Sequence, residues 1–182
     1  MRFRKFVIFS SLFILLIFLT SCDLSDIKNL ISSGTSTEEV EESEEDVDKD
    51  LKACKKIIDD VDFDRSKVTT KGFENESIQK KITLKNEDKD ILGYAYKISG
   101  KNSYGAIVLL VIIDDENKLV SVEFIENGQS YRNEVENHVE NKYIEGISRE
   151  DIIGIDSKCG ATYGAKTVKE LVLIAYDDLL KE

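Results

Sequence analysis

The sequence predicts an α+β fold: a single small domain in which an antiparallel sheet is packed by helices, with a C-terminal helix closing the chain. Three observations carry this. Apolar residues recur at helical spacing between residues 47 and 61. Strand-like segments then succeed one another from about 77 to 126, separated by short polar turns. The helical period returns at 131 and runs to the C-terminus. A run of strands and then a run of helices favours α+β over an alternating α/β order.

Each element has its own signal. Val47, Leu51, Cys54, Ile58 and Val61 stand three and four apart, the stripe of an amphipathic helix. "SIQKKITLK", with Ile78, Ile82 and Leu84, reads as a strand. "ILGYAYKISG" alternates Leu92, Tyr94, Tyr96 and Ile98 on one face, a half-buried strand. "YGAIVLLVIID" is a continuous apolar run bounded by the turn-like "DDENK", and it is the expected central strand. "LVSVEFIE" places Val120, Val122 and Phe124 at alternate positions, and the short turn before it favours an antiparallel pair. Tyr131, Val135, Val139 and Tyr143 then lie four apart on one helix face; His138, the single histidine, falls on the polar side and is expected to be solvated. Ser148 is an N-cap with Asp151 three residues later, and "DIIGI" reads as a short apolar strand or edge. The last helix is expected from about 165 to 180, burying Val168, Val172, Ala175 and Leu179.

The net charge of −11, with 34% charged residues, argues against a nucleic-acid surface. "MRFRK" gives a basic start and "FVIFSSLFILLIFLT" an apolar run, the pattern of a secretory signal, although the run is only a little short of a membrane span. The residues at the end of the run decide between them. "LTSC" resembles the lipobox of bacterial lipoproteins, which implies cleavage before Cys22 and two acyl chains on the new N-terminus. Two chains anchor stably where one is marginal. The expected organisation is a signal peptide over 1–21, lipidated Cys22 with a disordered acidic tether over 22–46, and a working domain over 47–182. The domain then lies on the extracytoplasmic face of the cell membrane. "SSGTSTEEVEESEED" is too polar to fold and too like-charged to collapse. Cys54 and Cys159 remain, either as a disulfide or as two unpaired thiols. No CxxC-like spacing supports a metal site, and no serine or cysteine has a recognisable base partner for catalysis.

The stretch "DSKCGATYGAKTV", residues 156–168, sets small residues around Thr162 just before the last helix. The first backbone N–H groups of a helix have no intrahelical partner and favour an anion. Local chemistry leaves two readings open: a seat for a phosphate, or a plain turn in which Thr162 caps the helix.

"DSKCGAT" resembles the D-x-x-S/T-G-A-T signature of the FMN-binding domain family, which includes the G subunit of Rnf complexes and the C subunit of the sodium-translocating NADH:quinone reductase. The strand pair in "GYAYKISGKNSYGAIVLLVIIDDENKLVSVEFIENG" is similar to the same family, so the resemblance runs from Leu92 to the C-terminus. It implies FMN joined to Thr162 through a phosphoester by a flavin transferase. The matching residues are Asp156, Gly160, Ala161 and Thr162, with Cys159 where the family has Ser or Thr. After Thr162 the family continues with a variable residue and Thr-Ser, where this chain has Tyr163, Gly164 and Ala165. Gln129, Ser130 and Tyr131 occupy the place of an E-T-P-G-like segment that lines the flavin site. Tyr104, Tyr131 and Tyr163 are candidates to stack on the flavin ring. The implied role is electron transfer by a membrane-anchored flavoprotein, a carrier or a subunit of an Rnf-like chain with redox partner proteins, and not a stand-alone enzyme. The alternative is a module that binds FMN or another phosphate ligand non-covalently, or an accessory surface lipoprotein without flavin.

Overall fold

The computed structural model describes residues 44–181. The leader, Cys22 and the tether up to residue 43 lie outside the described residues, as does the side chain of Val47. Helix α1 spans Glu44–Ile57. Five strands come next, β1 (Lys67–Thr69), β2 (Ile78–Lys85), β3 (Ile91–Asn102), β4 (Gly105–Asp114) and β5 (Leu119–Asn127). Three helices complete the chain, α2 (Arg132–Lys142), α3 (Arg149–Gly154) and α4 (Thr162–Leu179). The strands form one sheet in sequential order, every neighbouring pair antiparallel. The domain is therefore α+β. No helix among the described residues is long and apolar enough to cross a membrane.

The sheet is covered on both faces, which explains the continuous apolar run of β4. Ile107, Leu109, Val111 and Ile113 enter one core with Val135 of α2, Ile152 of α3 and Val168, Val172 and Ala175 of α4. Leu110 and Ile112 enter a second core with Leu51 and Cys54 of α1, Val61, Ile82, Leu84 and Ala95. A strand with two buried faces has no polar alternation to show. β4 is interior but not the middle strand; β3 holds that place.

Two expected alternations break at irregular registers. Tyr94, Tyr96 and Ile98 face the α4 side, but Leu92 packs in the α1 core, next to a register shift between β2 and β3 at Leu84 and Lys85. Val122 and Phe124 likewise pack on the α4 side while Val120 joins the α1 core, because the β4–β5 register shifts between Ile112 and Ile113. An extra residue in one strand exchanges the faces of everything beyond it.

"DIIGI" is largely helical, not a strand: α3 covers its first four residues. Ser148 and Asp151 form a reciprocal capping box, Asp151 N–H donating to Ser148 Oγ at 3.3 Å and Ser148 N–H to Asp151 Oδ2 at 2.8 Å. These hydrogen bonds hold the Asp151 carboxyl below its ordinary pKa. At the other end, Lys169 Nζ donates to the carbonyls of Ile153 and Ile155, at 2.6 and 2.8 Å, so a lysine of α4 caps α3. The last helix also begins three residues earlier than its apolar stripe suggests, at Thr162.

Beneath α1, Lys80 of β2 is fully buried and pairs with Asp50 at 2.5 Å, and Lys97 lies 3.5 Å from the same carboxylate. The ion pair ties the helix to the sheet in the middle of an apolar layer. Cys54, one turn along α1, is buried there, and burial together with the Asp50 charge pushes its thiol up to about 12. Cys159 packs in the other core, across the sheet. Both cysteines are free thiols, so the disulfide alternative is not the one realised.

Candidate functional site: an aromatic cleft at the start of α4

Three segments converge where α4 begins. The first is the β3–β4 hairpin, whose tip carries Tyr104. The second is the loop after β5, residues 128–131. The third is the small-residue turn leading into Thr162. Together they enclose a cleft of about 220 Å³ lined by Tyr104, Gln129, Tyr131, the Gly160–Ala161–Thr162 turn, Tyr163 and Gly164. Pockets that hold a whole drug-sized ligand run to roughly 300–1,000 Å³. This cleft has room for one ring system, with the rest of a larger ligand lying outside.

Backbone geometry builds the cleft. Gly105 takes φ +139, and a Cβ on it would stand 2.0 Å from the Gly128 carbonyl oxygen. Only glycine lets the hairpin lie that close to the 128–131 loop. Gly128 N–H donates to the Ala106 carbonyl at 2.9 Å and Ser130 N–H to the Tyr104 carbonyl at 3.2 Å, completing the seam. Asn102 fastens the hairpin to α4: its Oδ1 accepts from Tyr104 N–H at 2.8 Å, and its Nδ2 donates to Thr167 Oγ1 at 2.9 Å. Neither Asn102 nor Thr167 is singled out by the sequence reading. The signal that could have found the first is an asparagine two residues before a Tyr-Gly turn.

At Gly164 the first turn of α4 rests on α2. A Cβ there would stand 2.5 Å from Val135 Cγ2. Gly160 in turn lies against Glu134, with 3.3 Å from its would-be Cβ to Glu134 Cγ. The small residues around Thr162 therefore serve packing as well as access.

The helix start is left open. Ala161 is the N-cap, and it has no side chain able to accept from the first-turn N–H groups. Thr162 is the first helical residue, so the reading in which it caps the helix does not hold. Its hydroxyl donates to the Cys159 carbonyl at 2.9 Å, which keeps the hydrogen on the protein side of the oxygen. Tyr104 and Tyr163 form a tilted pair, with ring centroids 5.4 Å apart and planes at 33°. Both rings are exposed, as is Tyr131 at 55%. Tyr131 thus stands outside the buried face of α2 to which its spacing assigned it, and acts as the residue preceding that helix.

Three expected site residues are not in the cleft. Ser130 contributes its backbone to the hairpin seam. Cys159 offers the carbonyl that holds Thr162, while its side chain is half-buried against the core. Asp156 accepts from Lys158 N–H at 3.0 Å and lines a second groove of about 580 Å³, together with Lys158, Lys166 and Lys169. Thr162 borders both cavities.

His138 overturns its expected solvation. It is 8% exposed, and its Nε2 is sealed without a partner, as is the hydroxyl of Tyr143 beside it. Burial and the Lys142 charge lower its pKa, against an opposing pull from Asp156. Helical spacing put it on the polar side, but in the folded domain it is buried with the Tyr143 ring edge-on beside it. Among the described residues no group of His, Cys, Asp and Glu is placed to hold a metal ion.

Fold and site define a class: an antiparallel α+β domain with an aromatic cleft at an uncapped helix start and a hydroxyl on its lip. Comparison with protein-family models, curated proteins and solved structures finds no match for this chain.

Proposed function

We propose that this chain is a membrane-anchored, extracytoplasmic flavoprotein that carries FMN on Thr162 and passes electrons between partner proteins. The observation that supports it best is the convergence at Thr162. One hydroxyl lies between an aromatic cleft sized for a ring and the start of a helix whose N-cap, Ala161, makes no side-chain cap bond. The resemblance of "DSKCGAT" to the FMN-binding domain signature names the ligand that fits this combination. The flavin ring supplies the redox chemistry.

The residues then divide the work. Thr162 Oγ would become the ester oxygen by displacing the leaving group from the phosphorus of an activated flavin nucleotide brought by the transferase. The hydroxyl proton would be lost, so the bond to the Cys159 carbonyl would be given up. The phosphodiester charge sits at the first turn of α4. Tyr104 and Tyr163 offer faces for the ring, and Gln129 and Tyr131 border it. The membrane is reached through Cys22, the flavin is installed by a flavin transferase, and electrons pass to a redox partner or an Rnf-like complex. Nucleic acid has no part.

Co-expression with a flavin transferase tests this. Flavin fluorescence should remain on the denatured protein band, and Thr162→Ala should remove it while the circular dichroism is unchanged. A dark band beside a fluorescent control protein sinks covalent attachment. A second reading, a module binding FMN non-covalently, is favoured by the hydrogen bond that already engages the Thr162 hydroxyl. In that case the wild-type protein is yellow and loses its colour on unfolding and dialysis.

A further inference from the structure

We propose that Gln129 selects the ligand of the cleft, as a fixed hydrogen-bond acceptor for an N–H on the edge of the bound ring. This rests on the flavin reading above and adds the atom that does the selecting.

Gln129 is 6% exposed. Its Nε2 donates to the Gly105 carbonyl oxygen at 2.7 Å. A carbonyl oxygen only accepts, so the amide can stand only one way round. Oε1 is thereby fixed on the other side, 3.1 Å from where a Cβ on Gly164 would stand. Gln129 and Gly164 both line the cleft. Among the described residues nothing donates to Oε1. Nor is it sealed away, since the fully buried orphans among those residues are His138 Nε2 and the Tyr143 hydroxyl.

The backbone under this side chain is held as well. Gln129 N–H donates to Asn127 Oδ1 at 3.2 Å, and Gly128 N–H to the Ala106 carbonyl. A held amide carbonyl in a nearly buried residue calls for a donor from whatever fills the cleft. A ring nitrogen carrying a lone pair would be repelled there; one carrying hydrogen would be bound. The ligand is thus a planar heteroaromatic with an N–H at its edge, next to the Tyr104–Tyr163 pair. A flavin offers the imide N3–H in both oxidation states, and N5–H, with N1–H in the neutral form, only when reduced.

Titration of the flavin-free full chain with FMN and with N3-methyl-FMN, each oxidised and dithionite-reduced, separates these. If N3–H is read, N3-methylation weakens binding at least about tenfold in both states, since it removes the donor and places a methyl against a buried acceptor. If N5–H is read, N3-methylation has no effect and reduced FMN binds at least about tenfold tighter than oxidised. Either result supports the proposal, and Gln129→Met should then abolish the discrimination. Equal binding of all four ligands, or discrimination that survives in Gln129→Met, overturns it and leaves the flavin reading standing. No binding of any flavin overturns the proposal, while the flavin reading is judged separately by fluorescence of the denatured band after co-expression with the transferase. The ligand comparison on the wild-type chain needs no variant, so a poorly folding Gln129→Met does not decide the matter.

Discussion

Gly164→Ala should destabilise the domain although it places the best helix-forming residue in a helix. The added Cβ would stand 2.5 Å from Val135 Cγ2, where carbon atoms rest at about 3.5–4.0 Å. Something must therefore move by about 1 Å. Val135 is fully buried and β-branched, so it has neither a free rotamer nor solvent to turn into. Such overpacking costs about 1–3 kcal/mol. The gain in helix propensity returns at most about 1 kcal/mol. With the full return the net loss is up to about 2 kcal/mol, or up to roughly 8 °C in Tm for a domain of this size.

Thermal and urea unfolding monitored by circular dichroism read this directly. Gly154→Ala is the control: its Cβ would meet nothing within 4 Å, and it should fall within about 0.5 kcal/mol of wild type. In a Val135→Ala background the Gly164→Ala penalty should shrink, because the group it strikes is gone. A Gly164→Ala protein that melts at or above wild type would refute the close α2–α4 seam, and with it the geometry of the cleft.

Acidification should destabilise the domain through His138. Its folded pKa lies below the ordinary 6.5, so the unfolded chain binds more protons in the window beneath that value. Its contribution is intact above about pH 6.5 and is lost as pH falls towards the folded value; His138→Gln should flatten this part of a pH series of urea midpoints, and an unchanged slope would contradict the burial. Asp50→Asn should destabilise the domain, since it removes the carboxylate charge that Lys80 and Lys97 approach beneath α1. The double change Asp50→Leu with Lys80→Met should cost less than Asp50→Asn alone, as measured by urea unfolding; the reverse order would mean that the pair is not desolvated.

The sheet is legible in the sequence because its strands are written in turns and apolar runs, and the meander order comes from short connections. Faces are less legible. Leu92 and Val120 sit on the unexpected side because a register shift is invisible to a period of two. α3 resembles a strand because two adjacent isoleucines suit a strand as well as a helix turn, and the Ser148–Asp151 box tips the balance. His138 defies its pattern because helical spacing tells which side a residue takes, but not how the fold covers that side. For the site, the sequence carries the residue types but not the partners. Tyr104, Gln129 and Tyr163 come together through a hairpin, a loop and a helix start. Long-range contacts such as the Gly105–Gly128 approach, the Gln129–Gly105 bond and the Asn102–Thr167 bond bring those three segments together, and none of them is written in local sequence.

The two residues after Tyr163 show how packing and site chemistry share one turn. Where the FMN-binding signature continues with hydroxyls, this chain has Gly164 and Ala165. A side chain at 164 would run into Val135, and Ala165 is fully buried. Position 164 is taken by the contact of α4 with α2 and position 165 is buried, so a larger side chain at 164 could not be aimed at an anion without lifting the helix. What faces an anion there is the first turn behind Ala161, which makes no side-chain cap bond, together with the lysines of the neighbouring groove, Lys158 and Lys166. The same seating of α4 on α2 brings Gly164 beside the Gln129 amide. If a ring is bound as proposed, its selection in this cleft should be read at the edge that meets Gln129.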